Sequence, residues 1–186
     1  NNFNNIGRVN FNKIPKSKLK YKYSKIKKFY QYEPEIIFND NNIIFFDNKG
    51  TILKFDNNSN LIWKKNYYSK NEQKQNPILF FMSNQKYLII ADTIAKLYVI
   101  DINTGELLWA KKNSAPFNSQ IKIFDDKFFV VDFENILKGY FIANGEEVLS
   151  IKTENSLIRS QKKLSMVIVD QNIYFNNSLG DINSEY

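Results

Sequence analysis

Four acids stand where chemistry is conceivable: Asp92, Asp132, Glu134 and Asp170. Carboxylates serve as general acids and bases, and clusters of them bind hard cations. Each of the four falls at a strand end or in a turn, where Asp is an ordinary turn former. Asp101-x-Asn103-x-Gly105 has the outline of a calcium loop. An EF-hand needs Gly at its sixth position and Glu at its twelfth; here Gly is fifth and the twelfth residue is Lys112. The segment reads better as a hairpin turn. The sequence has no His and no Cys. That excludes Ser-His-Asp and Cys-His nucleophiles, thiolate catalysis, disulfides, zinc fingers and iron–sulfur clusters.

Binding residues are sought in loops, because strands are spent on packing. Residues 154–163 place Leu157 and Ile158 beside Arg159, the only Arg after residue 33. Arg flanked by aliphatic side chains is a common interface anchor. The alternative is that Leu157 and Ile158 cover the edge of a sheet. A second loop, 66–76, is longer than its counterparts and is expected to expose Tyr67 and Tyr68, or to be merely a variable solvated loop.

The elements that position these residues are strands. Ile43–Phe46, Tyr87–Ile90, Phe128–Val131 and Asn172–Phe175 are short β-branched and aromatic runs bounded by turn residues. The first strands of the corresponding units are expected at Glu35–Phe38, Ile78–Met82, Gln120–Phe124 and Leu164–Val169.

Internal self-similarity sets the architecture. One unit runs from Lys96 to Trp109 and includes Asp101-Ile102-Asn103-Thr104-Gly105. A copy 45 residues earlier runs from Gly50 to Trp63, with one deletion. A third, 40 residues later, runs from Leu137 to Leu149, and a fourth begins at Gly180. Four strands in about 40–46 residues is a propeller blade. The fold class is therefore all-β: a partial β-propeller of four-stranded antiparallel blades, with approximate bounds 34–69, 76–112, 115–153 and 161–186. Trp63, Trp109 and Leu149 occupy the same place in successive blades and are expected to pack blade on blade. Asn60, Gly105 and Gly145 are expected to supply positive φ in the preceding turns.

The run Tyr98-Val99-Ile100-Asp101-Ile102-Asn103-Thr104-Gly105-Glu106-Leu107-Leu108-Trp109 resembles the pyrroloquinoline-quinone-type propeller repeat. Its units commonly read (Leu/Val)-Tyr-Ala-Leu-Asp-x-x-Thr-Gly-x-x-x-Trp. The resemblance is close in the second unit, looser in the first and third, and extends over residues 34–186. This repeat serves both quinone dehydrogenases and outer-membrane assembly lipoproteins, so fold alone does not select the function. Many dehydrogenases of the type stack a vicinal disulfide on the quinone, which a chain without Cys cannot do. The better likeness is to the assembly lipoproteins of BamB type. That likeness implies a periplasmic scaffold at the outer membrane of a Gram-negative bacterium, without enzymatic activity, cofactor, metal or small-molecule substrate. The implied partners are the barrel-assembly protein and nascent outer-membrane proteins, with the contact carried onto Leu157 and Arg159. The lipidated Cys of such proteins is missing here. This repeat type usually forms seven or eight blades, and the present chain holds about three and a half. It is expected to be part of a longer chain.

The formal net charge of +7 is concentrated at one end. Residues 1–33 carry nine Lys and Arg against Glu33 alone, and the remaining residues carry 17 basic and 18 acidic side chains. A basic arm at a membrane surface is one reading. A solvated leader in a sequence biased to Asn, Ile and Lys is the other. Nucleic acid is not expected as a partner, because bidentate base reading favours Arg. No run of about 20 apolar residues spans a membrane as a helix.

Overall fold

A computed structural model describes residues 35–153, 162–180 and 182–185. The first blade comprises β1 (Ile37–Asn39), β2 (Asn42–Phe46), β3 (Thr51–Phe55) and β4 (Leu61–Asn66). A single helical turn, α1 (Lys70–Gln73), lies in the connection to the second blade: β5 (Leu79–Ser83), β6 (Tyr87–Asp92), β7 (Lys96–Asp101) and β8 (Leu107–Lys112). The third blade holds β9 (Lys122–Phe124), β10 (Lys127–Val131), β11 (Ile136–Phe141) and β12 (Glu147–Lys152). The fourth shows β13 (Met166–Val169), β14 (Asn172–Asn176) and β15 (Ile182–Glu185). Each sheet is an antiparallel meander in chain order.

The alternation of side chains across a strand explains the stacking. In β7, Tyr98 and Ile100 pack against the first blade, while Leu97 and Val99 pack against the third. Both faces are apolar, so the strand reads as a continuous hydrophobic run. Three interfaces follow. Ile44, Phe46 and Ile52 meet Leu88, Ile90 and Tyr98 between blades one and two. Ile89 and Val99 meet Phe117, Phe128 and Val130 between blades two and three. Val131 and Leu137 meet Met166, Ile173 and Phe175 between blades three and four.

A bulge recurs between the third and fourth strands, at Lys54/Phe55, Val99/Ile100 and Gly139/Tyr140. Such bulges bend the strand and increase its twist. Just beyond each bulge the fourth strand places Trp63, Trp109 or Leu149 toward the following blade. Trp63 is buried against the second blade, and Trp109 and Leu149 are half-buried against the third and fourth.

Three of the four first strands, β1, β9 and β13, are shorter than the sequence suggests, while β5 has the expected length, shifted by one residue. Residues 115–121 leave the sheet instead of extending β9. Phe117 bridges Asp132, and Ser119 makes a parallel bridge to Leu164 of the fourth blade. The Ser119 hydroxyl also accepts the Val131 amide at 2.7 Å, which ends the β9–β10 pairing there.

Candidate functional site

The turn between the second and third strands carries the same device in every blade. Asp47, Asp92, Asp132 and Asn177 stand at intervals of 45, 40 and 45 residues. Asp47 Oδ1 accepts the Lys49 and Thr51 amides, both at 2.9 Å. Asp92 Oδ1 accepts the Ile94 and Lys96 amides, both at 2.8 Å. Asp132 Oδ1 accepts those of Glu134 and Ile136 at 2.9 and 3.1 Å, and Asn177 Oδ1 that of Leu179 at 2.9 Å. These are side-chain-closed turns, the ordinary work of Asp and Asn.

In the second and third blades the other carboxylate oxygen ties the turn to the preceding connection. The Tyr68 hydroxyl donates to Asp92 Oδ2 at 2.5 Å, and the Asn113 amide donates to Asp132 Oδ2 at 3.0 Å. Asp92 and Asp132 are fully buried. Burial pushes the Asp92 carboxyl up to about 6, against the opposing pull of the Tyr68 hydroxyl and the Lys96 and Ile94 amides. Burial likewise raises Asp132, opposed first by Asn113. Both oxygens of each carboxylate therefore have structural partners. Two of the four candidate acids are thus built into turns. Asp170 lies at positive φ (47°) in the β13–β14 turn, and Glu134 is exposed in the β10–β11 turn.

Tyr68 is the centre of a wider network. Its hydroxyl lies 3.3 Å from that of Tyr98, and Lys96 Nζ stands 4.8 Å over its ring. Lys96 also pairs with Glu72 at 3.1 Å and donates to the Tyr67 carbonyl at 2.7 Å. Burial raises both the Tyr68 and Tyr98 hydroxyls well above the usual phenol range. The expectation that loop 66–76 exposes Tyr67 and Tyr68 is corrected here. Tyr68 is 5% exposed and Tyr67 is half-buried. The Tyr68 ring fits where Gly50 lacks a Cβ, and its hydroxyl satisfies a buried carboxylate. The rest of the loop is ordered by α1, whose capping box joins Ser69 to Glu72.

A second polar group joins the first and fourth blades. Lys163 forms an ion pair with Glu35, whose other oxygen accepts the Phe81 amide at 2.9 Å. Lys163 Nζ also stands 5.3 Å over the Phe80 ring. Burial pulls the Lys163 amine down to about 8, and the Glu35 carboxylate beside it opposes that fall.

The Gly105 and Gly145 positions have φ of 70°. Asn60 does not take the left-handed role: Ser59 has φ 66°, because the first blade's turn is one residue shorter. Asn60 instead donates its backbone and side-chain N–H groups to Asp56 at 2.8 and 2.9 Å. Asp101 Oδ1 accepts the Asn103 and Thr104 amides at 2.8 and 2.9 Å, closing the equivalent hairpin turn. Leu157, Ile158 and Arg159 lie outside the described residues, as do residues 1–34. Among the described residues, no group of three or more acidic side chains comes together to hold a metal. Sequence reasoning missed the Tyr68–Asp92 link and the Glu35–Lys163 pair. The turn acids carried a signal, their repeat interval, but their long-range partners carried none.

Stacked four-stranded meanders with a repeated turn and plug define a β-propeller. The chain belongs to the family described as outer membrane protein assembly factor BamB, whose model matches residues 48–184. The crystal structure of BamB from Moraxella catarrhalis is similar at a TM-score of 0.53 and 15% identity, covering 81% of this chain and 47% of that one. The computationally designed Ika8 protein is similar at 0.67 and 13%, covering 81% and 44%. Europium-containing methanol dehydrogenase is similar at 0.55 and 12%, covering 64% and 24%. The chain thus spans less than half the length of each of these three. A search of curated proteins gives no match.

Proposed function

We propose that the chain acts as a non-enzymatic scaffold in the assembly of outer-membrane β-barrel proteins, in the periplasm of a Gram-negative bacterium. The observation that carries this reading is the family match over residues 48–184. The turn acids support it: Asp92 and Asp132 spend both oxygens on backbone amides and neighbouring side chains. The reading requires no cofactor. Its partners are the barrel-assembly protein and, through it, nascent outer-membrane proteins. Leu157, Ile158 and Arg159 form the contact in this reading.

The test is co-purification from envelope extracts with the barrel-assembly protein. The unaltered chain should recover it, and the Leu157→Ala/Arg159→Ala double variant should lose most of it. Equal recovery by the double variant would move the contact elsewhere, and no recovery by either chain would remove the scaffold reading. Titration with pyrroloquinoline quinone and calcium tests the oxidoreductase alternative; an unchanged absorbance and melting temperature is the expected result.

A further inference from the structure

The alternating direction of the strands sorts the surface charge of the blades. The β1–β2 and β3–β4 turns and their counterparts lie at one end of the propeller. The β2–β3 turn, its counterparts and the connections between blades lie at the other. Among the described residues, the exposed charged side chains at the second end are seven lysines and Glu134. Lys49 stands in the β2–β3 turn, Lys70 and Lys74 in the connection after β4, and Lys111 and Lys112 at the end of β8. Lys152 ends β12, and Lys162 precedes β13. At the first end the exposed charged side chains are seven acids and Lys86. Asp40, Asp125, Asp126 and Asp170 stand in turns between first and second strands. Glu106, Glu146 and Glu147 stand in or beside turns between third and fourth strands.

The less exposed groups keep this contrast. At the lysine end Asp47, Asp92 and Asp132 are buried in their turns, while Glu35 and Glu72 pair with Lys163 and Lys96. With half-buried Lys65, ten basic groups there stand against six acidic ones. At the acidic end, half-buried Asp56 and Asp101 raise the acids to nine, against Lys86, Lys127 and the buried Lys54. Lys127 pairs with Asp126 there, and mid-strand Lys138 reaches Glu147, both at 3.3 Å. The side chains of Glu154, Arg159, Asp181 and Glu185 lie outside the described ones.

A six-residue strand such as β7 separates the two ends by about 17 Å. That is about twice the Debye length of about 8 Å at physiological ionic strength. A partner at one end therefore meets that end's charge, not the near-neutral sum of the blades. Residues 1–33, with nine basic side chains against Glu33, join the chain at the lysine end, where Glu35 leads into β1.

We propose that the lysine end docks on an anionic phospholipid bilayer, with the acidic end directed to water. The exposed lysines are spread over all three blade junctions, an array across the end of the propeller. The described residues include no Arg, the side chain of bidentate phosphate recognition. Hydrated ammonium groups suit the diffuse negative charge of lipid headgroups. Leu179, 49% exposed in the β14–β15 turn, adds an apolar contact at the same end. Repulsion of the seven exposed acids from the bilayer sets the orientation. This goes beyond the scaffold reading and does not depend on Leu157, Ile158 or Arg159.

The experiment sediments the full chain with vesicles of phosphatidylcholine or of its equimolar mixture with phosphatidylglycerol. Binding to the mixture alone, lost at high salt, is expected. Lys70→Gln/Lys74→Gln/Lys111→Gln/Lys112→Gln should weaken it by about tenfold or more. Asp125→Asn/Asp126→Asn, at the acidic end, should not weaken it. The chain has no Cys, so a single dye can be attached at Ser114→Cys, beside the lysines, or at Asn144→Cys, in the β11–β12 turn. A quencher carried by the lipid should dim the first dye and spare the second. The proposal is overturned if the mixture is not bound or if both dyes dim equally. It is also overturned if the quadruple Lys variant binds like the parent, which would leave residues 1–33 as the whole cause. Capture of a single-stranded oligonucleotide in place of the mixture would make the partner a nucleic acid and overturn it too.

Discussion

The indole of Trp109 lies on Gly145 of the next blade, with ring carbons 2.7–2.8 Å from where a Cβ would stand. Its Nε1–H donates to the Ile142 carbonyl in the same turn at 2.8 Å. Trp63 repeats the arrangement one blade earlier, on Gly105 and the Ile102 carbonyl, at 3.2 Å. The glycine thus has two duties: it takes φ 70°, and it leaves room for the ring. Gly145→Ala should therefore cost about 2–4 kcal/mol, combining left-handed strain of about 1–3 kcal/mol with displacement of the indole. Urea unfolding checks this. A loss under about 0.5 kcal/mol, the scale of a neutral surface change, would mean that the turn and ring move apart freely.

Asp92 makes stability depend on pH in a definite direction. Its folded value of about 6 stands above the unfolded value of about 3.9. Between these values the folded chain holds more protons than the unfolded one, so stability falls as pH rises from about 4 to 6. A shift of about 2 units corresponds to a term on the order of 3 kcal/mol. Asn177 holds the equivalent turn with an amide, so Asp92→Asn should fold. The variant should lose most of the decline in melting temperature between pH 4.5 and 7 that the parent shows. The raised Asp132 acts in the same direction and should leave a residue of it. Parallel melting curves for parent and variant across that range would refute the assignment.

Lys163 works in the opposite window. Its amine sits at about 8, below the usual lysine value, so the folded chain holds fewer protons between about 8 and 10.4. Stability contributed by this group therefore rises with pH through that window. Lys163→Met should remove the rise, and Glu35→Gln, which takes away the opposing carboxylate, should enlarge it. Melting temperatures at pH 7.5 and 9.5, compared between parent and variants, read the difference.

The capping box of α1 is a local element with a local cost. Ser69 accepts the Glu72 amide at 3.3 Å, and Glu72 accepts the Ser69 amide at 2.7 Å while pairing with Lys96. Ser69→Ala should destabilise by about 0.5–1 kcal/mol, the lower part of the range for such caps, because the turn is exposed. The shift in urea midpoint measures it. An unchanged midpoint would show that Lys96 holds Glu72 in place without the cap.

The sequence by itself determined the blades. Strand runs such as Phe128–Val131, the turn glycines at 105 and 145 and the repeated Trp positions are local signals, and a meander pairs neighbours in sequence. The first-blade turn shows the limit of reading by analogy: one deleted residue moved the left-handed position from Asn60 to Ser59. What the tertiary structure decided was the company each side chain keeps across blades. Tyr68 looked like a loop residue and proved buried, because its ring needs Gly50 and its hydroxyl needs Asp92, 18 residues before it and 24 after. Glu35 and Lys163 meet over a still longer separation. A periodic sequence specifies each sheet through local pairing, but the contents of an interface depend on side chains that only stacking brings within reach.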